Sequence, residues 1–140
     1  LGLGATVITN RREIAADDFF VGMYTTALDE GEIITAVRFP IPKRAAYMKF
    51  KQPASRFSLV GVFVAQFDAG VRVAVTGASS CVFRHAGLEA ALSGSFTPQA
   101  AAAVVIDASD LNADLHASAA YRANLISVQT QRAVAKMTSP

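Results

Sequence analysis

In 140 residues the chain has one cysteine, two histidines and no tryptophan, and each scarcity closes off a class of chemistry. The single thiol, Cys81, excludes an internal disulfide and any multi-cysteine zinc or iron–sulfur site made by this chain alone; it reads as a buried, inert side chain. The two histidines, His85 and His116, are too few and too separated to suggest a metal centre. Charge is also sparse: charged residues make up 17% of the chain, and the 13 basic and 11 acidic side chains leave a formal charge of +2. They are scattered and lack the dense basic face with interleaved aromatics that nucleic-acid recognition needs. Apolar residues reach 52%, yet Gly, Asp or Gln breaks every run within about ten residues, short of the roughly 20 that span a bilayer. The opening LGLGATVITN has no basic start, sustained apolar stretch or cleavage site. A secretory signal is therefore not expected, and the cytoplasm is the expected location. No G-x-S-x-G elbow is present. A hydrolase triad of Ser118 or Ser55 with His116 and Asp114 is therefore not supported.

What is present is enough for about one domain with a real core. The chain starts without an initiation context and is expected to be part of something longer. GATVIT alternates small and β-branched residues like an edge or terminal strand; Asp17 and Asp18 read as a helix-capping pair; Asp29-Glu30-Gly31 reads as a turn before the strand-like EIITAVRF, which Pro40 and Pro42 end. A sheet follows, with strands expected over Ala46–Phe50, Leu59–Phe67 and Val71–Gly77. The last two should be joined as an antiparallel hairpin at Asp68-Ala69-Gly70. The VRVAV pattern places Val71, Val73 and Val75 on a covered face and Arg72 and Ala74 on the other. From Arg84 the period becomes helical. One helix is expected to stop at Ser93-Gly94, a second to open at Thr97-Pro98 and run to Ile106, and a third to be capped by Ser118 and extend from Ala119 to Lys136. In the third, Tyr121, Leu125, Val128, Arg132 and Ala135 fall near one stripe, and Arg122, Gln129 and Lys136 near another. The fold class expected is α+β, an antiparallel sheet with about three helices on one face.

The stretch RAAYMKFKQPASRFSLVGVFVA is the best candidate for a ligand contact, because a basic, Pro-broken loop from Lys51 to Ser58 joins two strands. Together with ADDFFVGMYTTALDEGEIITAVRFP upstream and DLHASAAYRANL downstream, it resembles the FAD-binding medium subunit of molybdenum hydroxylases, the flavoproteins of the carbon monoxide dehydrogenase, aldehyde oxidase and xanthine dehydrogenase group. The likeness extends from Ile14 to Lys136 and is nearer to carbon monoxide dehydrogenase-type bacterial members than to animal xanthine oxidases.

The resemblance implies that residues 1–36 are the tail of a preceding FAD-binding domain with its linker, and 37–140 the family's C-terminal domain. It implies an electron-transfer role: a molybdenum-cofactor large subunit oxidises substrate, an iron–sulfur small subunit relays electrons, and FAD passes them to an acceptor. It also implies that Lys51 occupies the position of a flavin-contacting lysine and Ile34 that of an aliphatic residue against the isoalloxazine. Ser55 and Arg56 join them as candidate cofactor contacts, with Arg56 suited to a ligand phosphate or an acidic partner group. The residues alone leave other readings open: Lys51 as a solvated lysine, Ile34 as a core strand residue, Arg56 in a structural ion pair, and His116 as a cap or packing residue. No catalytic or metal-binding residue is assigned. The glycine-rich loops that hold the pyrophosphate in the family have no counterpart in this sequence, so the isolated chain is expected to lack FAD and activity. The alternative is a non-catalytic subunit-docking module that binds no flavin, and apolar surface left uncovered is expected to favour self-association.

Overall fold

The computed structural model describes residues 1–139. Its body is a four-stranded antiparallel sheet. β6 (Arg44–Lys51), β7 (Ser58–Phe67), β8 (Gly70–Thr76) and the short β9 (Phe83–Arg84) lie side by side in chain order. The expected hairpin is there: Phe67 of β7 pairs with Gly70 of β8 across a two-residue turn, and Gly70 takes φ +141°, a conformation that favours glycine. On the helix side, Val60, Val62, Val64, Val73 and Val75 are wholly buried. Each such valine contributes roughly 1.5–3 kcal/mol relative to leaving it in water, so this face drives assembly.

Two helices cover that face, and a third packs against both of them. α2 (Ala86–Gly94) is capped by His85, whose Nδ1 accepts from the Leu88 N–H at 3.1 Å. α3 (Pro98–Ala102) opens at Thr97-Pro98 as expected, with Thr97 Oγ1 accepting from Ala100 N–H. It stops at Ala102, with Ala103 as its C-cap, instead of reaching Ile106; the β-branched Val104, Val105 and Ile106 that follow are weaker helix formers. α4 (Ala119–Thr138) is capped by Ser118, which accepts from the Tyr121 N–H at 3.2 Å. The stripe assignment on α4 needs correction. Arg122 and Gln129 are 3% and 1% exposed, and the buried face is formed by Arg122, Ala123, Leu125, Ile126, Gln129, Thr130, Ala133 and Val134. The Arg122 guanidinium donates to the carbonyls of Leu59 and Gly77, both at 2.9 Å, and to Asp114 Oδ2 at 2.8 Å, so this charge is buried with partners.

The first 38 residues form smaller elements: β1 (Thr6–Thr9), β2 (Glu13–Ala15), α1 (Ala16–Phe19), β3 (Phe20–Gly22), β4 (Thr25–Thr26) and β5 (Ile34–Arg38). β1 is the centre of a three-stranded antiparallel sheet, order β2-β1-β5, and not an edge as GATVIT suggested. The division expected after residue 36 passes through β5, whose pairing to β1 continues to Arg38. Val7, Ile14 and Phe19 make the small core here. Glu32 holds its lower end. Its carboxylate accepts from Arg12 Nε and Nη2, both at 3.0 Å, from Thr9 Oγ1 at 2.7 Å and from Asp29 N–H at 2.9 Å. The Arg12 guanidinium, aided by the Asp29 amide and the Thr9 hydroxyl, holds the Glu32 carboxyl at about 2, well below its usual range.

The two sheets meet where the N-terminal segment crosses the helix-free face of the larger one. Gly2 lies on Phe63, and Arg72 donates to the Leu1 carbonyl at 3.0 Å and to Asp17 Oδ1 at 2.6 Å. Asp17 also pairs with Arg84 at 3.5 Å. No side-chain cap is made at α1, so Asp17 ties the two sheets together in place of the expected capping.

Candidate functional site

The alternation of β6 sorts its side chains. Ala46, Met48 and Phe50 pack into the helix-covered core, which puts Ala45, Tyr47, Lys49 and Lys51 on the opposite face. Across the ladder Tyr47 is level with Phe63, Lys49 with Gly61 and Lys51 with Ser58. Gly61 creates a shelf: a Cβ there would collide with the Tyr47 hydroxyl and lie 2.9 Å from Thr76 Cγ2. The tyrosine ring therefore rests against bare backbone of the neighbouring strand. Its hydroxyl is 2.8 Å from Ser58 Oγ, and the residue remains 45% exposed.

Lys51 ends β6 with its side chain exposed, and residues 52–57 form the loop back to β7. Two backbone bonds close the loop, Gln52 N–H to the Phe57 carbonyl and Arg56 N–H to the Gln52 carbonyl, each 2.8 Å. Arg56 is held at φ +60°, a left-handed conformation costing a non-glycine residue roughly 1 kcal/mol. Ser55 Oγ accepts from the Phe57 N–H at 3.3 Å, and Lys49 Nζ donates to the Arg56 carbonyl at 3.4 Å. Among the described residues none of Lys49, Lys51 and Arg56 has an ion-pair partner, so the structural ion pair considered for Arg56 is not formed. The result is an aromatic plane fixed beside cations without an anionic partner among the described residues, with Phe57 also 78% exposed. Such a surface suits a flat, electron-rich group with negative charge at one edge.

The structure brings Lys51, Ser55 and Arg56 together on one hairpin. Ile34 belongs to another sheet, at its free edge, and is 42% exposed, so the core-strand reading does not hold. No hydrogen bond or ion pair among the described residues links β5 to the hairpin. Tyr47 and Lys49 were not singled out in the sequence. The two-residue spacing of Tyr47, Lys49 and Lys51 was a usable signal, but the role of Gly61 depends on the strand register.

The other candidates resolve into structural roles. His116 is exposed, and its own backbone N–H donates to Asp114 Oδ1 at 2.9 Å; the cap on α4 is Ser118. That His116 amide is the chief reason the Asp114 carboxyl is held below its ordinary range. His85 is half-buried, and burial pushes its pKa down. Cys81 is half-buried instead of sealed, lining a cavity of about 300 Å³ with Phe83, His85, Ile106, Asp107 and Leu111. A larger cleft of about 590 Å³ lies at the β7–β8 turn, the opposite end of the sheet from Lys51, near Pro40, Phe67, Gly70, Arg72 and Arg84. Its two guanidiniums are already engaged, Arg84 with Glu89 at 2.6 Å and Arg72 with Asp17, so the cleft has no spare charge. Among the described residues no cluster of His, Cys, Asp or Glu could hold a metal ion, and no helix is long and apolar enough to cross a membrane.

No family model matches the chain. It is 36% identical over 137 residues to the nicotine 6-hydroxylase medium subunit of Paenarthrobacter nicotinovorans, a match covering 91% of this chain and 48% of that protein. It is 30% identical over 136 residues to the carbon monoxide dehydrogenase medium chain of Hydrogenophaga pseudoflava, covering 89% and 47%. The fold is shared with quinoline 2-oxidoreductase from Pseudomonas putida 86, with a TM-score of 0.78 at 23% identity over 97% of this chain and 53% of that one. The chain thus spans about half the length of the curated relatives it matches.

Proposed function

Because the chain belongs to the family of FAD-binding medium subunits of molybdenum hydroxylases, matching about half of such a subunit, we propose that it is the part of an electron-transfer flavoprotein that closes over the flavin ring. In this reading, residues 1–36 are the tail and linker of a nucleotide-holding domain, and 37–140 the domain that faces the isoalloxazine. The observation that carries it is the β6 surface: Tyr47 held across Gly61, with Lys49 and Lys51 at successive two-residue steps and Arg56 free beside them. When bound, FAD supplies the electron relay between the iron–sulfur clusters of a small subunit and an acceptor, for a reaction carried out on a molybdenum-containing large subunit. This chain's residues would orient the ring and set its potential, since a cation near the N1/C2=O edge favours the charge that builds there on reduction. Lys51 has that role, Ser55 and Arg56 support it from the loop, and Ile34 contributes an apolar contact from β5. Its location in the cytoplasm is part of the same reading.

The hairpin fits the ring and not the rest of the cofactor. No glycine-rich loop is present to hold a pyrophosphate, so the purified chain is expected to show no visible flavin absorbance, and a stoichiometric yellow colour would reverse that expectation. In a full-length subunit carrying this sequence, Lys51→Ala is expected to lower flavin retention or shift its reduction potential. If both stay at wild-type values, Lys51 leaves the site.

A further inference from the structure

We propose that Tyr47 is a second ring-contact residue beside Lys51, its phenol hydroxyl donating a hydrogen bond to the flavin carbonyl that Lys51 leaves unserved, with Ser58 and Gly61 as the residues that position it. This rests on the flavin reading and adds to it a neutral donor fixed by the sheet.

The Tyr47 side chain reaches sideways from β6. A Cβ at Gly61 would collide with its hydroxyl, so the ring crosses the neighbouring strand and leans towards the hairpin tip. There its hydroxyl meets Ser58 Oγ at 2.8 Å. Ser58 is the ladder partner of Lys51, which brings the phenol oxygen of an earlier β6 residue to the rung from which the Lys51 side chain projects. A flexible cation and a fixed hydroxyl thus share one end of this face. Further from the tip the face is taken: Gly2 lies on Phe63, the ladder partner of Tyr47.

The hydroxyl pair is unfinished. Ser58 and Tyr47 carry one hydroxyl hydrogen each, and the bond between them uses one. Among the described residues neither oxygen has a further hydrogen-bond partner, so one donor is left over on a half-exposed side chain. A phenol is the better donor of the two, and a serine hydroxyl bonded to its oxygen strengthens it. The chain from Ser58 through Tyr47 therefore ends on the phenol. An isoalloxazine offers two carbonyls, C2=O and C4=O, at the edge where negative charge builds up on reduction, and one ammonium answers one of them. A donor already in place favours the reduced ring without reorganisation.

Reduction potential and flavin retention of the full-length subunit carrying this sequence test the proposal. Tyr47→Phe keeps the ring over Gly61 and removes only the donor. The potential is expected to fall, equivalent to a loss of up to about tenfold in the preference for reduced over oxidised flavin, the worth of one hydrogen bond, while oxidised flavin is retained as in the wild type. Ser58→Ala should lower the potential by less, and Ser58→Thr should restore it. Gly61→Ala, which pushes the ring aside, should lower the potential as Tyr47→Phe does. If Lys51→Ala shifts potential or retention and Tyr47→Phe leaves the potential unchanged, this proposal falls and the flavin reading stands. If neither variant changes potential or retention, Lys51 and Tyr47 both leave the site, and this proposal falls with the assignment of the hairpin to the flavin. Tyr47→Phe, the smallest of these changes, decides the matter even where Gly61→Ala folds poorly.

Discussion

The four-stranded sheet and the three-stranded sheet both place β-branched residues on their inner faces, yet the first encloses its apolar face and the second leaves much of it open. Behind the larger sheet, seventeen described residues form a continuous core, with α2, α3 and α4 as its lid; the smaller sheet assembles three, Val7, Ile14 and Phe19. The missing volume is made good by polar chemistry. Glu32, with four hydrogen bonds, does for the small sheet what packed valines do for the large one. Hydrophobic enclosure is indifferent to pH, whereas an ion-pair knot is not, so the two regions should respond to different insults.

Truncating equivalent apolar residues should give the largest contrast. Leu92→Ala, in a site 1% exposed, is expected to cost about 3 kcal/mol and lower the urea midpoint of the whole chain. Ile14→Ala should cost about 2 kcal/mol, since its core is small, and should raise exchange only in residues 6–38. Equal, global effects of the two would show that the sheets unfold as one unit.

Acid should separate them next. The folded-state value of about 2 for Glu32 lies below its ordinary 4.5. Its contribution is therefore complete above about pH 4.5 and disappears as pH falls towards 2. Amides of β1 and β5 are expected to lose protection over that window while those of β7 and β8 keep theirs, and Glu32→Gln should flatten the dependence. A smaller effect is expected from Asp17→Asn, which cuts the tie to Arg72 and Arg84. For a half-exposed ion pair the cost is up to about 1 kcal/mol, read as faster exchange in residues 1–9 without a change in the larger sheet.

The larger region was readable in the sequence because its signals are local and repeated. The VRVAV alternation, the Asp68-Ala69-Gly70 turn and the capping residues Thr97 and Ser118 each act within a few positions. Features that failed to appear depend on what lies across the fold. Arg122 falls on a helical stripe with Lys136, and its burial follows only from the carbonyls of Leu59 and Gly77 beside it. Tyr47 gains its shelf only from Gly61 on the next strand. Ile34 reads as interior because an apolar strand gives no sign of whether another layer covers it. Asp17 looked like a cap because its nearest sequence neighbours are helical, but its strongest partners are Arg72 and Arg84. Lys51 was legible as an exposed cation on a hairpin, and the pairing of Lys49 with it follows from the same strand period.

The three bonds from Arg122 also bear on the order in which the polypeptide matures. The carbonyls it secures are 63 and 45 residues earlier in the chain, on strands that leave the ribosome well before α4 exists. Until α4 docks, those strands expose a row of valines and two unanswered acceptors, so completion of the C-terminal helix should be the committing event of biogenesis. Molecules terminated ahead of residue 122 would be clients for chaperones or proteases, however complete their β-structure.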